Sequence, residues 1–192
     1  VYAQMSIFAI LIGFVAVPIW YKVVMQLGKR VTWLVYSGGV ALFFLSLGFL
    51  KAGVNETLIS GLYIYYYLVA AAAGIIFGPI LCDIIDYGRL KKESASSGLM
   101  FALQGLLAKL PIAVGASLSL AIAGWLGYDA TLAAGQTDSA EFGMRLGVSW
   151  LPSLFMFLSL FLINRMPLSE RRMEIIRKRL TRRMDSNCVL PN

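Results

Sequence analysis

Five runs of apolar side chains, at 5–24, 32–50, 58–82, 98–126 and 146–163, constrain this chain more than any other feature. At about 1.5 Å of rise per residue, runs of this length match a hydrocarbon core of about 30 Å. Inside that core each backbone N–H and C=O must be satisfied within its own segment, so each run reads as a membrane-crossing helix. Hydrophobic residues make up 59% of the 192 positions, and the mean hydropathy of +0.75 is too high for a soluble domain. The expected fold is therefore an all-α integral membrane bundle over residues 1–167, followed by a basic tail over 168–192. Val1 already lies in an apolar stretch with no basic n-region before it, which reads as a piece of a longer chain rather than a signal-bearing precursor.

Short polar connections at 26–30, 51–57, 87–97 and 128–141 separate the runs. Lys22, Lys29 and Arg30 follow the first run, and Arg89, Lys91 and Lys92 follow the third. Arg165 and seven basic residues between Arg171 and Arg183 follow the fifth, whereas the opposite side carries only Lys51 and Arg145. The positive-inside rule then starts the chain outside and places its C-terminus in the cytoplasm. The net charge of +7 belongs to these flanks. With no nucleic-acid motif beside it, its expected partner is the anionic headgroup layer rather than a nucleic acid.

Lys109 breaks this pattern. It sits about eleven residues into the fourth run, roughly 16 Å deep, and a charge there costs about 2.5–3.5 kcal/mol on insertion scales. Such a group normally faces a protein interior or an aqueous cavity and has a partner. No acid of this chain falls at the same depth, so the partner is expected to be a ligand or a part of the protein outside this sequence. Gln104 is a second candidate for the same passage, although it lies on another helix face.

Catalytic and metal chemistry find little support. The chain has no His and two isolated cysteines, Cys82 and Cys188, so zinc, disulfide and nucleophilic-enzyme readings lack their residues. No metal site and no cofactor are expected, and the chain is not read as an enzyme.

Asp83, Asp86 and Tyr87 fall at i, i+3 and i+4, on one helical face at the end of the third run. Carboxylates at a helix C-terminus oppose the macrodipole by about 0.3–1 kcal/mol each. The cations that offset this are sought among Arg89, Lys91 and Lys92, with Lys29 and Arg30 across the first loop. Exposed pairs worth about 0–1 kcal/mol apiece form an inner gate that holds yet opens. The alternative is a solvated charge cluster that only fixes topology.

Pro18, Pro79, Pro111 and Pro152 each remove a backbone donor within a run and invite a bend. Gly74, Gly78, Gly115 and Gly124 are assigned to close helix packing. Met173, Ile176 and Leu180 recur at helical spacing among arginines, so 169–183 reads as an amphipathic helix on the inner leaflet. Asn55-Glu56-Thr57 matches a glycosylation sequon on the predicted outer side.

The segment Cys82-Asp83-Ile84-Ile85-Asp86-Tyr87-Gly88-Arg89-Leu90-Lys91, with Gly98 and Lys109 beyond it, resembles the glycoside–pentoside–hexuronide:cation symporters, the melibiose permease-like group of the major facilitator superfamily. That family shows a D-x-x-D-Y-G-x-x-K element and an intramembrane lysine on the next helix. Gly28-Lys29-Arg30 is similar to its loop between helices eight and nine, and Gly127-Tyr128 to the pair after helix eleven. The resemblance implies that the five runs are helices eight to twelve of a twelve-helix fold, with helices one to seven preceding this sequence. It departs at Ala95 and Ser97, where arginine and glutamate are common, and at Pro111, where the family has glycine.

By that resemblance the chain is expected to form the C-terminal part of a cation-coupled sugar or glycoside symporter of the plasma membrane, in a bacterium the inner membrane, working by alternating access. Lys109 is then expected to line the cavity and help couple ion and sugar. The coupling cation, Na⁺ or H⁺, is expected to bind in the N-terminal half. A membrane assembly or sensor protein that keeps the fold without transport is the second reading.

Overall fold

The computed structural model describes residues 2–50, 55–91, 97–131, 136–165, 174–176 and 178, and among them no strand occurs. The helices are α1 (Tyr2–Gly48), α2 (Glu56–Lys91), α3 (Ser97–Trp125), α4 (Asp138–Arg145) and α5 (Leu151–Arg165). A π-helical segment, Leu146–Trp150, joins the last two. Among the described residues four helical stretches are long and apolar enough to cross a membrane, and the first of them, Ile10–Gly48, covers most of the first two sequence runs.

Those two runs meet at Gly28, where the expected polar loop over 26–30 shrinks to a single residue. Gly28 adopts φ 82 and ψ 160, a left-handed backbone that a side chain disfavours by about 1–2 kcal/mol. Thr32, fully buried, donates from Oγ1 to the Gly28 carbonyl at 2.8 Å and so satisfies the acceptor that the turn leaves over.

Contacts with α2 show that the chain reverses at this glycine. Before it, Gly13 lies against Tyr67, and Ala16 and Trp20 pack with Ala72, Ile76 and Ile80. The register rises in both helices until Lys29 meets Asp83. After it, the α2 partners descend: Trp33 and Tyr36 stand edge-on to Phe77, Gly39 faces Val69, and Phe43 meets Tyr66. Residues 2–27 thus run parallel to α2, and residues 29–48 run antiparallel to it.

The second arm also supports α5. Ser153 Oγ donates to the Ala41 carbonyl at 3.1 Å, Gly48 lies against the Trp150 indole, and Arg30 reaches Asn164. Gly39 and Gly48 are the glycines that permit close approach here, because a Cβ at Gly39 would stand 2.8 Å from Val69 Cγ1 and one at Gly48 would overlap the indole. Among the described residues the four glycines assigned to packing from sequence meet no neighbour: beside Gly74, Gly78, Gly115 and Gly124 the Cβ direction is open space. No described backbone stands opposite them to make a small residue useful.

The prolines do not mark the break either. Pro18, Pro79 and Pro111 lie within helices, and the non-helical residue of α1 is Gly28. Pro152 stands in the first turn of α5, directly after the π segment.

The last helical run starts earlier than its apolar residues do. Thr137 caps α4 by accepting from the Ala140 N–H, and Asp138 and Glu141 occupy the first turn, where carboxylates meet the positive helix end. Gly143 and Gly147 then let α3 approach: a Cβ at Gly143 would stand 2.9 Å from Leu126 Cβ, and one at Gly147 would stand 3.0 Å from the Ser119 backbone. Along the rest of α3, from Gly98 to Leu118, every residue is exposed except Met100 and Gln104, which are half-buried.

Of the basic tail, Glu174–Ile176 and Lys178 are described. They are helical, with Lys178 Nζ 2.7 Å from Glu174 Oε1 and Ile176 buried. The remaining tail positions of the expected amphipathic helix, Met173 and Leu180 among them, lie outside the described residues.

Candidate functional site

The topology gathers the charged side chains of three elements at one end of the bundle: the Gly28 turn, the last third of α2 and the C-terminus of α5. Asp83 is 6% exposed, and its Oδ2 accepts from Lys29 Nζ at 2.6 Å across the hairpin. The lysine side chain keeps 26% of its exposure. A half-buried pair of this kind exchanges little hydration at the lysine and much at the aspartate, so removing the lysine takes an opposite charge from a desolvated carboxylate.

This geometry changes two expectations. α2 continues to Lys91, eight residues past Asp83, so the aspartate is not in the last turn where the macrodipole acts. Asp83 is also buried, which overturns the solvated-cluster reading for this residue and the value of an exposed pair that went with it. The physical reason is the hairpin: arm 2–27 and arm 29–48 flank α2 on two sides and cover the carboxylate.

The other expected members of the cluster divide. Arg30 turns away from α2 and donates from Nη2 to the Asn164 carbonyl and, at 3.2 Å, to Asn164 Oδ1. A guanidinium there satisfies carbonyl oxygen at the end of α5 and meets the negative end of its dipole. Asp86 is half-buried, while Tyr87 and Arg89 are exposed. The side chains of Lys91 and Lys92 lie outside the described residues. Adjacent residues of one turn therefore fasten two helices, Lys29 holding α2 and Arg30 holding α5. The role of Arg30 was hidden from sequence because Asn164 is 134 positions away.

Lys109 lies on the exposed stretch of α3, and among the described residues it has no hydrogen-bond or ion-pair partner. The described residues therefore supply neither a packed interior around this ammonium nor an acid for it. Gln104, half-buried, is five positions earlier on the same helix. Among the described residues no group of three or more His, Cys, Asp or Glu stands together as a metal site. Cys82 is exposed and free, and Cys188 lies outside the described residues. At the other end of the bundle Asn55 is exposed and its Oδ1 accepts from the Thr57 N–H at 3.2 Å, so the sequon side chain serves as a helix-start cap.

Between arm 2–27 and α2 lies a cavity of about 270 Å³ lined by apolar residues, with Gly13, Phe14, Tyr67 and Ala71 among them. It holds no charged group and is continuous with the apolar outer face of the bundle.

Long apolar helices with exposed aliphatic and aromatic faces define a multi-pass membrane protein. The particular family follows from its sequence: residues 2–170 match the MFS/sugar transport protein family, and the chain belongs to it and so to the major facilitator superfamily. No curated protein matches the chain. Members of this superfamily move solutes across membranes and as a rule do not transform them chemically.

Proposed function

We propose that the chain is the C-terminal part of a cation-coupled sugar or glycoside symporter that works by alternating access, of the melibiose permease-like kind. The observation that carries this reading is Lys109, an ammonium on an apolar helix with no acid to meet it among the described residues. In a carrier with its ligands between two helical halves, that charge faces the shared cavity, with Gln104 as a second polar group on the helix. Occupancy of both ligand sites lowers the cost of closing over the charge, and occupancy of one alone does not, which is the differential that coupling requires.

The charged end forms the inner gate. Lys29 and Asp83 hold the hairpin to α2, Asp86, Tyr87 and Arg89 present groups toward the opposing half, and Lys91 and Lys92 are assigned to the same gate from the sequence. The basic flanks support a cytoplasmic position for this end, with the tail on anionic headgroups. The coupling cation, Na⁺ or H⁺, binds in the N-terminal half.

Uptake of radiolabelled melibiose and related glycosides into membrane vesicles, with and without Na⁺ or a proton gradient, tests the reading on the protein as the cell makes it. Lys109→Gln is expected to cut cation-stimulated uptake at least tenfold while expression and melting temperature stay unchanged. Unaltered uptake together with a lowered melting temperature would support the assembly-protein reading instead. Asp83→Asn, expressed and folded, is expected to alter transport, and wild-type rates in that variant would remove the gate.

A further inference from the structure

The π segment before α5 poses a donor problem that α3 solves. In an α-helix the Gly147 carbonyl would accept from the Leu151 N–H, but the π turn sends that N–H to the Leu146 carbonyl. In the π register the donor would be residue 152, which is proline and has no N–H. Both intrahelical donors are thus withheld from one carbonyl in an apolar setting. Ser119 Oγ of α3 donates to it at 2.9 Å, and Gly147 is the residue whose missing side chain lets the Ser119 backbone come so near.

We propose that Ser119 is a positioning residue: its hydroxyl replaces the N–H that Pro152 lacks, and this bond sets the tilt of the helix segment carrying Lys109. The attachment of α3 is concentrated at its C-terminal end, where Ser119, Ala123 and Leu126 meet Gly143 and Gly147. Residues 98–118, with Lys109 about 15 Å along the axis from Ser119, lie beyond it and are exposed except for the half-buried Met100 and Gln104. A helix held near one end has its far part aimed by that hold. On the other side of the same joint Ser153 Oγ bonds to the Ala41 carbonyl, so a movement of α3 at Ser119 is passed to the arm that bears Lys29. The use of this motion rests on the carrier reading; the joint itself does not.

The test reads geometry rather than transport. In the full chain, reconstituted in lipid nanodiscs with Cys82→Ser and Cys188→Ser, spin labels are placed at Leu106→Cys on α3 and Leu154→Cys on α5, both exposed positions. Ser119→Ala is expected to broaden the inter-label distance distribution about twofold, and Ser119→Thr, which keeps the hydroxyl, to leave it narrow. In a Pro152→Ala background, where residue 152 regains its N–H, Ser119→Ala is expected to have little effect. An unchanged distribution in Ser119→Ala, or full broadening that persists with Pro152→Ala, overturns the proposal. If Ser119→Ala alone yields no folded protein, recovery of folding by adding Pro152→Ala supports it, and failure to recover overturns it.

Discussion

Lys29 and Asp83 lie 54 positions apart and meet at 2.6 Å, with the aspartate nearly out of water and the lysine partly in it. Breaking such a pair from one side costs more than the pair contributes, because the remaining charge keeps its desolvation. Asp83→Asn and Lys29→Gln are each expected to lower stability by about 1–3 kcal/mol, and the double variant by clearly less than the sum. Denaturant unfolding in mild detergent, run as a double-mutant cycle, measures this coupling. In the turn after α3, Thr131 donates its backbone N–H and its hydroxyl to Asp129 Oδ1, which holds that carboxyl below its ordinary pKa of 3.8. A depressed folded-state value favours the fold above the unfolded value and loses that contribution as pH falls through the folded one. Thr131→Ala is expected to move the Asp129 midpoint upward, as followed by carboxyl-carbon NMR.

Individual elements depend on a few positions where a side chain cannot stand. Gly28→Ala places a Cβ on a backbone of φ 82 and is expected to cost about 1–2 kcal/mol, without changing the helices on either side. Gly143→Ala brings a Cβ to 2.9 Å from Leu126 Cβ and 3.3 Å from the Ala123 Cα, an overpacked contact between α3 and α4 expected to cost about 1–3 kcal/mol. Gly124→Ala, where the space is open, is expected to be neutral or stabilising by up to about 1 kcal/mol. Melting temperatures of the two variants side by side separate true contact glycines from those that merely sit in an apolar run.

For the whole molecule, the reversal at Gly28 assigns sides. Met25, beside the turn, and Phe49, past the far end of the second arm, are both 70% exposed and lie at opposite ends of the bundle. Single cysteines at these positions, in a background with Cys82 and Cys188 replaced by serine, are expected to react with an impermeant maleimide from opposite faces of the membrane. Labelling of both from one face would dismantle the hairpin.

Apolar length and charge placement carried most of the fold. Runs such as 98–126 cannot rest in water, and a backbone in hydrocarbon has few ways to satisfy itself, so their helical state follows from local chemistry. Lys109 was legible for the same reason: a charge in such a run stands out whatever surrounds it. The Asp83, Asp86 and Tyr87 face could be read too, because i, i+3 and i+4 spacing is a property of one helix. Thr137 with Asp138 and Glu141 carried a readable start for α4 that the apolar pattern overshadowed.

What lies between elements could not be read along the chain. The break near Gly28 was legible as the polar connection at 26–30, but its reduction to a single residue and the burial of Asp83 depend on how the two arms pack on α2. Arg30 finds Asn164, and Ser119 finds the carbonyl that Pro152 leaves without a donor, only once distant segments are packed side by side. Local order arises from each segment's own solvation and hydrogen bonding, whereas partners and burial arise from contacts between surfaces whose approach is set by the size of the few residues at the crossing.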